Sequence, residues 1–355
     1  MTTELPMIGK ISPEIFDELI LPQLGAPSPN VLVPPQHGVD IGVVRLGNGL
    51  VMVTTTDPVF IVPDYGWERA AWFAVHILAS DAATSGLAPS YMTIDLNLPL
   101  SITKEQLIRL WNTIHEECAT LGISIISGHT ARYAGCEYPM VGGATVISVG
   151  PEESYITPKM ARPGDAIIVT KGAAIEATGL FGVTFPQLIA DRLGRDVATK
   201  AADLFFQMSV VKDALVAASV GVRDAGVSAM HDATECGVWG GLYEIAQASN
   251  VGMHIEQDHV LVREEVRAVC ELFGMDPYAA ISEGTLLLTC RPHKADAVVA
   301  ALRTANIQAS IVGEVLPPER GIKLSTNGGR DRPLEHPRVD PFWAAFNRAM
   351  AEQQG

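Results

Sequence analysis

Basic residues are scarce in this chain. Its 355 residues include 25 Lys and Arg against 40 Asp and Glu, a formal net charge of −15. Without a Lys/Arg cluster to neutralise a phosphate backbone, general nucleic-acid binding is excluded. Cysteine is scarce too. Cys118, Cys136, Cys236, Cys270 and Cys290 are odd in number and far apart, with no C-x-x-C pair. That excludes a disulfide framework and a zinc ribbon, and favours reduced, buried thiols in a cytoplasmic setting. No apolar run approaches the roughly 18–20 residues of a membrane span, and residues 1–10 carry no apolar core of a secretion signal. A P-loop, a kinase glycine-rich loop and a G-x-S-x-G elbow are all missing.

What is present is apolar and periodic. Hydrophobic residues make up 48% of the chain, enough for a large core. The length suggests two domains. Strand-like runs alternate with helical ones, but some strands follow each other directly, which predicts α/β or α+β layers and not a TIM barrel. Helices are expected over residues 12–21, 67–85, 103–121 and 263–273, and one long helix over 196–219. Gly179-Leu180-Phe181-Gly182 reads as a turn. Residues 151–165, polar and proline-containing, read as a linker between halves spanning 36–150 and 166–316. Residues 1–35 form an N-terminal extension. Residues 317–355 form an irregular tail ending in a docking helix around Phe342–Met350.

One stretch concentrates chemistry: Met230-His231-Asp232-Ala233-Thr234-Glu235-Cys236-Gly237-Val238. An amphipathic helical run follows it. Asp232 or Thr234 could cap that helix, and Gly237 could let the backbone approach a phosphate; the residues alone leave a cap and a phosphate or metal site both open. In the first half, Asp40, Asp57, Asp81 and the pair His129-Thr130 lie where strands or helices end. Asp81 stands near a helix C-terminus, where the helix dipole disfavours an anion. Isolated aspartates of this kind serve as turn and cap residues, or converge on Mg²⁺ holding ATP, since Mg²⁺ takes oxygen ligands and phosphate oxygens.

The order of these motifs resembles a known superfamily. Gly38-Val39-Asp40, Thr55-Thr56-Asp57, Ser80-Asp81 running to Gly86-Leu87-Ala88-Pro89, and Gly128-His129-Thr130 are similar to the superfamily of aminoimidazole ribonucleotide synthetase, selenophosphate synthetase, thiamine-monophosphate kinase and the hydrogenase maturation protein HypE. The segment His231–Val238 resembles the D-P-T-R-G-G-L segment of HypE, and Ser282-Glu283-Gly284-Thr285 and Val312-Gly313-Glu314-Val315 follow in the same order. The resemblance implies a two-domain fold. The N-terminal domain would pair with that of a second copy as an inter-subunit sheet or barrel, beside a C-terminal α/β sandwich, with ATP in the cleft. It implies Asp40, Asp57 and Asp81 as Mg²⁺ ligands. Thr56, Gly128, Thr130, Thr234 and Gly237 would contact nucleotide, and Glu283, His129 and Asp232 would be catalytic. The implied activity is ATP-dependent activation of a carboxamide-like substrate, with a small-molecule kinase or ring-closing ligase, or a non-catalytic relative, as alternatives. The implied partners are a second copy and a maturation-type protein.

The chain departs from HypE at three places. It ends Glu352-Gln353-Gln354-Gly355 without the C-terminal Cys that carries HypE's substrate, so the substrate is expected on another molecule. Gly128-His129-Thr130 stands where HypE has G-D-T, and imidazole is a poor Mg²⁺ ligand. Glu235-Cys236 replaces Arg-Gly, exchanging a phosphate-friendly cation for an anion.

Overall fold

The structure, a computed structural model, describes residues 11, 13–326, 329 and 331–354. Its first sheet is built from β1 (Val31–Val33), β2 (Gly42–Gly47), β3 (Leu50–Phe60), β4 (Pro89–Leu98), β5 (Ser124–Arg132) and β6 (Met140–Pro151), in the order β1-β2-β3-β6-β4-β5. It is open, and β5 forms one edge. Pairing is antiparallel except between β4 and β5, and a parallel pair needs a crossover. Helix α2 (Lys104–Leu121) provides it. Its start carries a capping box between Thr103 and Gln106, and its end a left-handed Gly122.

Strand alternation decides which face of this sheet is wet. Val51, Val53 and Thr55 of β3 and Met92, Ile94 and Leu96 of β4 point inward. Against that buried face lies α1 (Trp67–Thr84). Ala70, Ala71, Ala74, Ala79, Ala82 and Ala83 are all buried, and these small residues let sheets approach it from both sides.

The second sheet covers the other side of α1. It comprises β7 (Ala166–Thr170), β8 (Val227–Asp232), β9 (Gly252–Glu256), β10 (Leu286–Cys290), β11 (Ala309–Leu316), β12 (Ile322–Ser325) and β13 (Arg332–Pro333), in the order β13-β12-β9-β11-β7-β10-β8. Every residue of β7, β8 and β10 is buried, as expected of strands covered on both faces. A single core joins Ile94 and Leu96 of the first sheet, α1, and Ile168, Met230 and Leu288 of the second. Residues 151–165 pack into the body: Tyr155, Ile156 and Thr157 are buried.

Three expectations are corrected. Residues 196–219 are not one helix. They form α5 (Arg195–Asp203), a tight turn (Leu204–Gln207) and α6 (Val211–Ser219). At the break, Lys171 Nζ donates to Ser209 O at 2.6 Å and the Val210 N–H donates to Ser80 Oγ at 3.0 Å, so distant side chains satisfy the released backbone. Gly179-Leu180-Phe181-Gly182 is no turn but the interior of α3 (Ile175–Thr184). A Cβ on Gly182 would stand 2.4 Å from Ala202 N; the glycines serve close helix crossing. The tail is more regular than expected, since β12 adds in parallel to β9. Its closing helix does dock. Phe342, Ala345 and Ala349 of α10 (Pro341–Gln354) are buried in the cluster that holds Phe181 and Phe185. At the N-terminus, a helical turn covers Pro13–Ile15 and continues as a wider turn over Phe16–Ile20; Ser12 lies outside the described residues.

The remaining helices are α4 (Pro186–Leu193), α7 (Gly237–Ser249), α8 (Glu264–Phe273) and α9 (Ala295–Thr304). No helix among the described residues is long and apolar enough to cross a membrane. The Gly182 contact yields a prediction. Gly182→Ala, which in an open helix would stabilise by about 0.5–1 kcal/mol, will destabilise this protein by about 1–3 kcal/mol. A lower urea midpoint with unchanged slope reports it.

Candidate functional site

The acidic residues of both halves meet where the last turn of α1 reaches the end of β8. Asp81 is 5% exposed there, and Thr55 Oγ1 donates to its Oδ2 at 2.9 Å. Alternation along β3 turns Thr55 and Asp57 to the same face, and the Asp57 carboxylate lies near enough to Asp81 to raise its proton affinity. Burial, then the charges of Asp232, Asp40 and Asp57, push the Asp81 carboxyl well above its ordinary range.

β8 closes on His231 and Asp232, both buried. His231 Nδ1 lies 3.4 Å from Asp232 Oδ1 and 3.5 Å from Asp40 Oδ2, and its Nε2 lies 2.8 Å from Glu244 Oε2 on α7. Burial alone would lower the imidazole pKa, but the neighbouring carboxylates of Asp232, Glu244 and Asp40 raise it well above the usual value. Asp232 also contacts Asp81 and Glu283. Glu283 sits in the turn before β10. Its N–H donates to Glu176 Oε2 at 2.9 Å, and its Oε1 accepts from the Gly284 N–H at 3.0 Å. Burial and the neighbouring Asp232 and Glu176 hold Glu283 well above the carboxylate range, and burial pushes Glu176, on α3, up to about 8.

Asp232 Oδ2 and Glu283 Oε2 are buried without a hydrogen bond. Two ionised carboxylates cannot bond each other, so the cluster calls for shared protons or a cation. A divalent ion replaces such protons readily, and carboxylate oxygens are the donors Mg²⁺ prefers.

Asp40, Asp57, Asp81, Asp232 and Glu283 therefore converge. His129 and Thr130 do not join them within one chain. They lie inside β5, exposed, and not in a turn after it. The row Asp57–Ala144–Ile94–Gly128 crosses four strands, a separation of about 14 Å at ordinary strand spacing. His129 Nε2 instead meets Tyr133 Oη at 2.9 Å. Gly128 allows tight strand pairing, because a Cβ there would stand 2.1 Å from Ile94 O. Thr56 faces away from Asp57 and bonds Thr145 Oγ1 at 2.8 Å.

The turn after β8 also differs from expectation. Neither Asp232 nor Thr234 caps α7. Cys236, in left-handed conformation with φ 63°, precedes the helix, and its N–H donates to Asp340 Oδ2 at 2.7 Å. Its Sγ donates to Pro337 O at 2.6 Å. The Gly237 N–H is bonded to Thr234 O, and a Cβ on Gly237 would stand 2.4 Å from Ala280 O. The glycine thus makes room for a neighbouring loop, with its N–H already in use. The tail straps down the helix N-terminus that a phosphate would otherwise meet.

Four members of the cluster carried no assignment in the sequence: Thr55, Glu176, His231 and Glu244. Thr55 and His231 stand inside the quoted motifs but were given no role. Glu176 and Glu244 had no signal, since acids on helices are common.

The models of two domains match this chain: AIR synthase related protein, N-terminal domain, over residues 38–149, and AIR synthase related protein, C-terminal domain, over residues 162–323. The chain belongs to the AIR synthase-related family. Within that family it is similar to the carbamoyl dehydratase HypE of Rhizobium leguminosarum bv. viciae, 28% identical over 291 residues that cover 79% of this chain and 78% of that protein. The fold matches Escherichia coli HypE, described as a hydrogenase maturation protein, with a TM-score of 0.69, 23% identity and coverage of 88% of this chain and 94% of that one. It also matches a HypE solved in complex with ATP, with a TM-score of 0.62, 22% identity and coverage of 94% and 97%.

The strap at Cys236 is anchored by one carboxylate of the tail. Asp340 accepts from the N–H groups of both Cys236 and Phe342. Asp340→Ala will leave both without a partner and lower unfolding free energy by about 1–3 kcal/mol in urea, whereas Glu335→Ala, on the exposed part of the tail, will change it by less than about 0.5 kcal/mol.

Proposed function

We propose that this protein binds Mg-ATP and uses it to activate the oxygen of a carboxamide-like substrate by phosphoryl transfer, with loss of phosphate completing a dehydration. The observation that carries this reading is the meeting of Asp40, Asp57 and Asp81 with Asp232 and Glu283, all around buried carboxyl oxygens that want a cation. The carbamoyl dehydratase named among the relatives supports the reaction class, and the ATP complex of a HypE supports the nucleotide.

In this reading Asp40, Asp57 and Asp81 hold Mg²⁺, which when bound supplies charge neutralisation to the phosphates. Thr55 positions Asp81 through its hydroxyl. Glu283 is the proton acceptor. Glu176 fixes its backbone, and its burial keeps its affinity for a proton high.

A second copy completes the site. The edge strand β5 exposes Ile126, His129 and Thr130, and Tyr133 follows it; an exposed strand edge is a template for pairing. Pairing through this sheet would bring His129 and Thr130 of one copy toward the acidic cluster of the other. A maturation-type partner protein would deliver the substrate.

Three measurements test the reading. Millimolar Mg-ATP will raise the melting temperature, by a free energy of roughly 2.7 kcal/mol at a hundred times Kd; Asp81→Asn will cancel the shift. No shift for the wild type would refute nucleotide binding. Glu283→Gln will keep the ATP-induced shift but slow phosphate release with a carbamoylated substrate by about 100-fold or more. Light scattering after size exclusion will give a dimer that Ile126→Glu converts to monomer.

A further inference from the structure

His231 is the member of the cluster that the Mg-ATP reading leaves without a task. Three carboxylates face its ring: Glu244 on Nε2 at 2.8 Å, and Asp232 and Asp40 on Nδ1 at 3.4 and 3.5 Å. In the neutral form that a metal binds, an imidazole whose Nε2–H is held by a carboxylate has its lone pair on Nδ1, and this arrangement of an outer carboxylate orienting a histidine is the one that supports metal ligation. On Nδ1 the spacing is too long for a good hydrogen bond. It is instead the spacing of ligands around one ion. The atoms Asp40 Oδ2, His231 Nδ1 and Asp232 Oδ1 come close enough together to share one ion. Independently of that spacing, Asp232 Oδ2 is buried and has no hydrogen bond.

We infer that Asp40, His231 and Asp232 form a four-coordinate transition-metal site, selective for an ion such as Zn²⁺ over Mg²⁺, with Glu244 as the positioning residue behind His231. Imidazole discriminates in this direction: it suits Zn²⁺ and Co²⁺ and is a poor donor to Mg²⁺. Three protein ligands leave the fourth position open to water or to a substrate oxygen, the pattern of catalytic and not structural zinc. The site shares Asp40 with the proposed Mg²⁺ ligands, but the inference does not rest on nucleotide binding.

The test uses the full chain, stripped with chelator and free of nucleotide. Calorimetry with Zn²⁺, Co²⁺ and Mg²⁺ will give one Zn²⁺ or Co²⁺ per chain, bound roughly 100-fold or more tightly than Mg²⁺. The Co²⁺ form will show the intense visible absorption of a four-coordinate ion. Glu244→Gln will weaken Zn²⁺ by about 10–100-fold, and His231→Gln will weaken it further and abolish the absorption. Equal affinity for Zn²⁺ and Mg²⁺, a weak six-coordinate Co²⁺ spectrum, or unchanged Zn²⁺ affinity in Glu244→Gln overturns the site and leaves His231 as an imidazolium held by three carboxylates. Should His231→Gln fail to fold, the wild-type Co²⁺ spectrum and Glu244→Gln still decide. The Mg-ATP melting shift, run alongside, separates the two readings. A shift without Zn²⁺ selectivity sinks only the transition-metal site, and Zn²⁺ selectivity without a shift sinks only the nucleotide.

Discussion

The burial of like charges at one end of α1 is the constraint on which the rest of the structure depends. An alanine-rich helix lies between two sheets, and its last turn carries Asp81 into a place with almost no solvent. Asp232 arrives from the end of β8, Glu283 from the turn before β10, and Asp57 from β3. Packing them together in a low dielectric costs several kcal/mol per uncompensated ion. Folding tolerates that cost because the large apolar core around α1 holds the elements in place whatever the protonation of their ends. The result is a cluster in which burial and neighbouring carboxylates raise the proton affinity of Asp81 and Glu283 well above that of an ordinary carboxylate.

The surroundings of the cluster rest on small residues and borrowed hydrogen bonds. Gly182 lets α3 cross close to α5, which anchors the helix that begins beside Glu176. Lys171, buried, ties Ser209 O to Asp213 at the break between α5 and α6. The tail reaches back so that Asp340 caps α7, the helix that presents Glu244 to His231. These contacts join segments far apart in sequence. They also explain how the chain accommodates Glu235-Cys236 where its HypE relatives were expected to carry Arg-Gly: the left-handed Cys236 is stabilised by two bonds to the tail.

Much of the fold was legible residue by residue. The apolar stripe of Leu107, Leu110, Ile114 and Cys118 and the stop at Gly122 mark α2, and the β-rich run from Leu50 to Thr55 marks β3; these local signals survive because tertiary packing reinforces them. Local signals misled where burial changed their meaning. Glycines at 179 and 182 resemble a turn until a neighbouring backbone is seen 2.4 Å from the missing Cβ. The apolar run 196–219 resembles one helix until Lys171 and Ser80 are seen bonding its broken backbone. Gly128-His129-Thr130 resembled a turn because its polar residues suit one, whereas edge position in β5 lets a strand carry them to solvent.

By itself the sequence determined the family, the layered α/β class and the set of aspartates, because motif order and hydrophobic period are properties of the linear chain. Only the tertiary structure decided which acids share one volume. Asp40 and Asp232 are far apart along the chain, yet both stand within 3.5 Å of His231 Nδ1, while Thr56, next to Asp57, faces the other side of the sheet. The physical reason is that a strand reverses its side chains at every residue, so adjacency in sequence separates groups in space. The packing of α1 between two sheets then brings together the groups that sequence distance keeps apart.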